Sequence, residues 1–239
     1  GDLPKKRATW NYKILKPKRF WTQITLPLYL YTTKFKPDLI FSPTHYIPKF
    51  SPVKRIATIF DLSFLHFPEM FNSRDLWKLK NWTKFSAENA DHIITISNST
   101  KKDIVMQYKI SKEKITVAYP GFNKEIFHKT GGKLDNYIIY IGTIQPRKNL
   151  IRLMEALVRI DSLKLIIVGK TEGLGRKGWK YEEILETPER LGTLDRVEFR
   201  GFVKAEQLAN LLAAAQVFVL PSLWEGFGIP AVEAMACGV

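Results

Sequence analysis

Between residues 137 and 220 the chain alternates short apolar runs with helix-forming segments, and that alternation leaves few architectures open. Residues 137–141, 163–168, 197–199 and 217–220 have strand length and are rich in β-branched and aromatic side chains, while residues 148–160, 181–191 and 205–214 have helical composition. In the first of these helical segments Leu150, Leu153, Met154 and Leu157 recur at the 3, 4, 7 spacing that buries one face. Strands joined through helices run parallel and are covered on both sides, and such sheets take their ligands at the carboxyl ends of the strands.

The first half repeats the scheme less regularly. Residues 39–43, 55–60, 91–96 and 115–118 read as buried strands. Residues 19–33 form a candidate amphipathic helix that Pro27 must kink or restart, and residues 73–90 a second helix, with Ser73 as N-cap and Trp77, Phe85 and Ala90 within it. A third begins near Ser99. The YPGFN stretch at 119–123 and the KTGGK stretch at 129–133 interrupt the pattern. The expected organisation is therefore α/β, with residues 1–121 and 137–239 as two Rossmann-like parallel-sheet units and 122–136 as a linker.

Composition excludes several classes of function. With 45% apolar residues in 239 the chain supports real cores. A single cysteine, Cys237, rules out an intramolecular disulfide framework and a cysteine zinc site, so a reducing compartment and a cytoplasmic location are expected. The longest apolar clusters, such as residues 24–31, fall far short of the roughly 20 residues of a membrane span. The net charge of +14 is uneven: residues 1–60 carry +10, residues 61–135 carry +3 and residues 136–239 only +1. Lys5, Lys6, Arg7, Lys16, Lys18 and Arg19 interleave with Trp10, Tyr12, Phe20 and Trp21, which suits an anionic membrane surface or a polyanion as well as an ordinary solvated face.

Chemistry concentrates at residues 217–239. After the apolar run 217–220, the WEGFG turn at 224–228 leads into a helix over residues 229–236. Gly226 and Gly228 let the backbone approach a ligand, Pro230 fits the first helical turn, and that turn's free N–H groups can hold an anion or sugar hydroxyls. Glu225 and Glu233, with seven residues between them, could both face one ligand and accept from a vicinal diol. The stretch from Glu225 through GFGIPAV to Glu233 and on into EAMACG resembles the donor-site signature of family 4 retaining glycosyltransferases, which have the GT-B fold of two Rossmann-like domains facing a cleft.

A second constellation follows the strand at 137–141. Arg147 and Lys148 sit side by side at a predicted helix entry, an arrangement that costs stability unless an anion is bound there, and a diphosphate suits it. Lys148-Asn149 resembles the family segment that holds the donor's β-phosphate. Many members carry an arginine directly after the glycine, where this chain has Gly142-Thr143, so Arg147 takes the part of the second cation. The runs 165–169 and 197–203 resemble the family's middle strands, whose ends, Val203 among them, line the nucleotide. Residues 57–62 resemble the acceptor-side segment in which many members carry His-Asp; Phe60 stands in the histidine position, leaving Asp61 and, on a neighbouring loop, His45 as acceptor-side candidates.

The resemblance implies glycosyl transfer from a nucleotide-diphospho-sugar to a sugar or lipid-linked hydroxyl acceptor with retention at the anomeric carbon. Arg147 and Lys148 would stabilise the leaving diphosphate, Glu225 with the backbone of Phe227, Gly228 and Ile229 would hold the hexose, and Glu233 the ribose. Neither metal nor cofactor is expected. No carboxylate stands out as a nucleophile, which fits an internal-return path in which the leaving phosphate takes the acceptor proton. The resemblance starts after the family's opening strand and stops before its last strands, so it also implies a fragment. Two rivals remain at this point: a GT-B sugar-nucleotide epimerase, and a basic nucleic-acid-binding protein on a Rossmann-like scaffold, against which the near-neutral second half argues, so that no nucleic-acid partner is expected.

Overall fold

A computed structural model of the chain describes residues 9, 11–17, 20–131, 134–170 and 181–239. The expected basic positions Lys5, Lys6, Arg7, Lys18 and Arg19, with Trp10, lie outside the described residues.

The first half opens with a π-helical turn, Trp21–Thr25, that passes directly into α1 (Leu26–Thr32). Pro27 occupies the first turn of α1, where its missing N–H has no partner to lose, so it restarts the helix and does not break it. Four parallel strands follow, β1 (Leu39–Ser42), β2 (Lys54–Ile59), β3 (His92–Thr95) and β4 (Ile115–Val117), paired in that order. Between them lie the short α2 (Ser63–His66), α3 (Ser73–Asn89) and α4 (Asn98–Tyr108). The core joins Ala57, Ile59 and Ile93 of the sheet to Ala87 and Ala90 beside α3 and Ile104 of α4.

Two expectations need correction here. Asn72, not Ser73, caps α3, its side chain accepting from the Asp75 N–H at 2.8 Å. Trp77 does lie in α3, where it is 61% exposed on the solvent side. In β1, Leu39 and Phe41 are exposed rather than buried, because β1 has a strand neighbour on one side only among the described residues.

The second half forms β5 (Tyr137–Ile141), α5 (Leu150–Leu157), β6 (Lys164–Val168), α6 (Glu182–Arg190), β7 (Val197–Gly201), α7 (Ala205–Ala214), β8 (Val217–Phe218) and α8 (Ile229–Cys237). Every residue of β5 is buried, since helices cover both sheet faces. Tyr137, Ile139 and Ile141 meet Leu212, Ala234 and Cys237 from α7 and α8, while Ile138 and Tyr140 meet Leu150, Met154 and Leu157 of α5 and Ile184 of α6. Burying each Leu or Met of α5 stabilises the fold by about 1.5–3 kcal/mol. Phe127, within the expected linker, is buried in the first of these clusters with Phe122 and Ile126 packed beside it.

Sheet order is β7-β6-β5-β8, all parallel. The chain builds outward from β5 to β6 and β7, then returns to the other side of β5 for β8. Loops leaving β5 and β8 therefore diverge, which opens a crevice at their carboxyl ends.

Candidate active site

The loops on either side of that crevice carry the candidate residues. The helix expected to begin at Lys148 begins two residues later: residues Pro146–Lys148 form a 3-10 turn, and Asn149, at φ 59°, separates it from α5. That left-handed position suits asparagine, whose Nδ2 donates to the Pro221 carbonyl at 3.1 Å, tying the β5 loop to the β8 loop. The Leu223 N–H donates to the Arg147 carbonyl at 2.9 Å and adds a second tie.

These ties bring three charges together. Lys148 Nζ donates to Glu225 Oε1 at 2.5 Å, Ser222 Oγ donates to the same oxygen at 2.7 Å, and Arg147 Nη1 lies 3.8 Å from Glu225 Oε2. Arg147 Nη1 also donates to the Trp224 carbonyl at 2.5 Å, while its Nε is buried with no hydrogen-bond partner. Lys148 is buried, and that burial holds its ammonium below the ordinary lysine value, with the Glu225 hydrogen bond opposing the shift. The sequence assigned Lys148 to a diphosphate and Glu225 to a sugar; in the fold the two side chains are partners.

Facing this cluster is a cavity of about 380 Å³ walled by the first half and closed by Gln145 and Arg147 of the second. Phe60, Phe64, Phe71 and Leu79 supply its apolar wall, and Asp61, Asp75 and Lys78 its charges. His45 lines it too, and burial holds the imidazole below its ordinary value against the raising effect of Asp61. Asp61 acts across the two halves as well, since its charge favours the protonated form of Lys148.

The sequence matches two family descriptions that divide the chain between them: Glycosyltransferase Family 4 over residues 4–126 and Glycosyl transferases group 1 over residues 122–239. The chain belongs to glycosyltransferase family 4. It is 26% identical to the O-antigen chain mannosyltransferase B of Escherichia coli over 95% of its own length and 60% of that protein, and 31% identical to the O-antigen chain mannosyltransferase RfbU of Salmonella typhimurium over 83% and 53%. It thus spans between half and two thirds of these two curated relatives. Among solved structures it is similar to a sucrose-phosphate synthase from Thermosynechococcus elongatus (TM-score 0.69, 23% identity, 87% of this chain and 56% of that one) and to Anabaena Alr3699/HepE in complex with UDP and glucose (TM-score 0.67, 23% identity, 84% and 57%). These likenesses carry the fold, GT-B, with its two parallel-sheet units on either side of a cleft.

The remaining candidates of this family 4 chain fall into place unevenly. Gly142, at the end of β5, packs so closely on Tyr140 that a Cβ would stand 2.5 Å from its Oη, and the Tyr140 hydroxyl donates to the Thr143 carbonyl at 3.2 Å. Thr143 is exposed, its Oγ1 accepting from Gln145 Nε2 at 2.5 Å. Gly228 adopts φ 88° as the residue before α8, and Ile229 opens that helix at the surface. Val203 is half-buried against the cluster that holds Ile139 and Leu212. Glu233 is not joined to the Glu225 cluster: it is half-buried on α8, makes no hydrogen bond or ion pair with the described residues, and burial pushes its carboxyl up. Gly226 departs from expectation, because the space its missing side chain leaves is taken by protein: a Cβ there would stand 2.6 Å from the Phe60 carbonyl oxygen.

Sequence reasoning missed His66, Asp103 and Trp224. The His66 ring stacks on Trp224 at 4.0 Å between centroids, and its Nε2 lies 3.0 Å from both oxygens of the buried Asp103. Nothing in their local spacing signals the contact, which exists only once the two units meet. Among the described residues no three His, Cys, Asp or Glu side chains gather as a metal-binding group, and no helix is long and apolar enough to cross a membrane.

Proposed function

We propose that the cleft transfers a hexose, of the mannosyl type, from a nucleotide-diphospho-sugar to a hydroxyl acceptor with retention of anomeric configuration, in the synthesis of a cell-surface polysaccharide. The observation that carries this reading is the meeting of Arg147 and Lys148 with Glu225 across the β5/β8 crevice, opposite a cavity holding Asp61 and His45. Mannosyltransferase names among the relatives supply the sugar class, and the UDP and glucose of the HepE complex support a nucleotide-sugar donor. No separate cofactor is called for.

Glu225 neutralises the cations that a diphosphate would need. An arriving diphosphate takes over Lys148 and the unpartnered Nε of Arg147, and Glu225 is released toward the sugar hydroxyls. As the bond from C1 to the diphosphate breaks, negative charge grows on the leaving oxygen, and both cations act where that charge develops. Glu233, midway along α8, would accept from the ribose, and the backbone of Phe227, Gly228 and Ile229 would border the hexose. The acceptor would enter the cavity walled by the first half, with its hydroxyl toward Asp61 and His45.

Binding of GDP-mannose, UDP-glucose and an ADP-sugar to the full-length protein, followed by thermal shift and calorimetry, tests the reading. One of the three should stabilise the fold, and Lys148→Ala should weaken that binding by about 1.5–3 kcal/mol. Unaltered affinity in Lys148→Ala would remove the diphosphate assignment.

The acceptor side also supports a lipid-linked acceptor and peripheral contact with an anionic membrane. Trp21, Ile24, Leu28 and Tyr31 project from one side of the opening helical segment and are each at least 40% exposed, while Leu30 on the other side is buried. Exposed Lys13, Lys16, Lys34 and Lys36 flank this row. An apolar stripe bordered by cations is the arrangement that enters an anionic interface.

A further inference from the structure

We infer that His66 is a positioning residue that clamps the donor loop onto the acceptor-side unit, an inference that rests on the glycosyl-transfer reading for its kinetic consequences but not for its structural one. The loop between β8 and α8 touches the opposite unit through Trp224, Gly226 and Phe227, and Trp224 also meets Phe67 edge-on at 6.3 Å between centroids. Trp224 stacks on His66 with 22° between the ring planes, Gly226 abuts the Phe60 carbonyl, and Phe227 lies 5.8 Å from Tyr119. Of these contacts only the His66 stack is anchored in a buried charge. Asp103 is 3% exposed on α4 and hydrogen-bonds no other described side chain, so leaving it unpaired would carry the full cost of a desolvated carboxylate. That cost fixes the plane of the imidazole, and the imidazole fixes the plane of the indole.

The indole belongs to the residue that matters most for the cluster. The Trp224 carbonyl accepts from Arg147, and the next residue is Glu225, bound to Lys148. A continuous line of contacts, Asp103 to His66 to Trp224 to Arg147 and Glu225, therefore runs from the interior of the acceptor-side unit to the charges of the donor side. Arg147 in turn lines the cavity that holds Asp61 and His45. Holding Trp224 sets the distance between the two sets of reacting groups, and a misplacement of about 1 Å is enough to cost two orders of magnitude in rate.

The clamp separates two quantities that a general loss of structure would move together. Donor contacts lie within the second unit, so His66→Ala should leave nucleotide affinity within about twofold of the parent while turnover falls about tenfold or more. Trp224→Ala should give the same pattern, the double variant should lose little beyond either single one, and Trp224→Phe, which keeps an aromatic face, should recover most of the turnover. Additive losses, or nucleotide affinity falling in step with turnover, would overturn the clamp. A readout free of substrate keeps the two readings apart: small-angle scattering of the unliganded full-length protein should give a larger radius of gyration for His66→Ala and Trp224→Ala than for the parent. An unchanged radius overturns the clamp whatever the substrate proves to be, whereas a parent that binds no nucleotide-sugar overturns the glycosyl-transfer reading and leaves the scattering result standing.

Discussion

Glu233 and Glu225 look alike in the sequence and differ in the fold because of what neutralises them. Glu225 has Lys148 at 2.5 Å and Ser222 at 2.7 Å, whereas Glu233 has burial without a bonded partner, and its carboxyl is pushed above the ordinary glutamate value. A carboxyl with a raised folded value binds its proton more tightly in the folded state, so its ionisation at neutral pH opposes folding. Glu233→Gln should therefore leave the unliganded protein as stable as the parent or slightly more so, by less than about 0.5 kcal/mol, while weakening nucleotide binding. Parallel melting curves with and without nucleoside diphosphate measure both; a variant that loses stability in the unliganded state would show Glu233 to be a structural partner. The two glutamates and Lys148 were legible as candidates because their residue types and spacing are local. Their partnership was not, since Lys148 and Glu225 stand 77 residues apart and only the β5/β8 pairing brings them together.

At the scale of elements, the loop between β8 and α8 is shaped as much by the unit it faces as by its own sequence. Gly226 is needed because the Phe60 carbonyl occupies the place of a side chain, with Ile96 Cδ1 and Asp61 Cβ also within 3.3 Å of a Cβ built there. Gly226→Ala should push the loop away from the first unit and cost about 1–3 kcal/mol, with turnover lost along with it. Differential unfolding and a rate measurement on that single variant decide the matter, and a Gly226→Ala protein as stable and active as the parent would place the loop clear of Phe60. Strand and helix identity was readable throughout the second half, because covering a parallel sheet on both faces demands continuous apolar runs such as YIIYI of β5. Exposure was harder to read: Trp77, Leu39 and Phe41 have the composition of core residues, and only the arrangement of neighbours puts them at the surface. The start of α5 was misplaced for a similar reason, since the left-handed Asn149 is stabilised by the Pro221 carbonyl, a partner distant in the chain.

For the molecule as a whole, charge and apolar surface coincide in the first half. The +10 of residues 1–60 and the exposed row of Trp21, Ile24, Leu28 and Tyr31 should draw the full-length protein to anionic vesicles, each basic residue at the surface contributing about 1 kcal/mol. Sedimentation with vesicles of rising phosphatidylglycerol content should show binding that weakens with salt, and equal recovery on neutral and anionic vesicles would leave the acceptor a soluble one. A different consequence concerns how the molecule comes into being. In the second sheet β8 is made after β6 and β7, yet it lies against β5, made before them. While the polypeptide is being synthesised, β5 and β6 can pair early, but the flank of β5 that will receive β8 stays open, and Lys148 waits beside it with no carboxylate. The Lys148–Glu225 cluster is thus completed only after β6, β7 and β8 have been made, and a nascent chain halted before Val217 would present an unpaired strand flank and an uncompensated ammonium, a form that invites chaperone capture or aggregation.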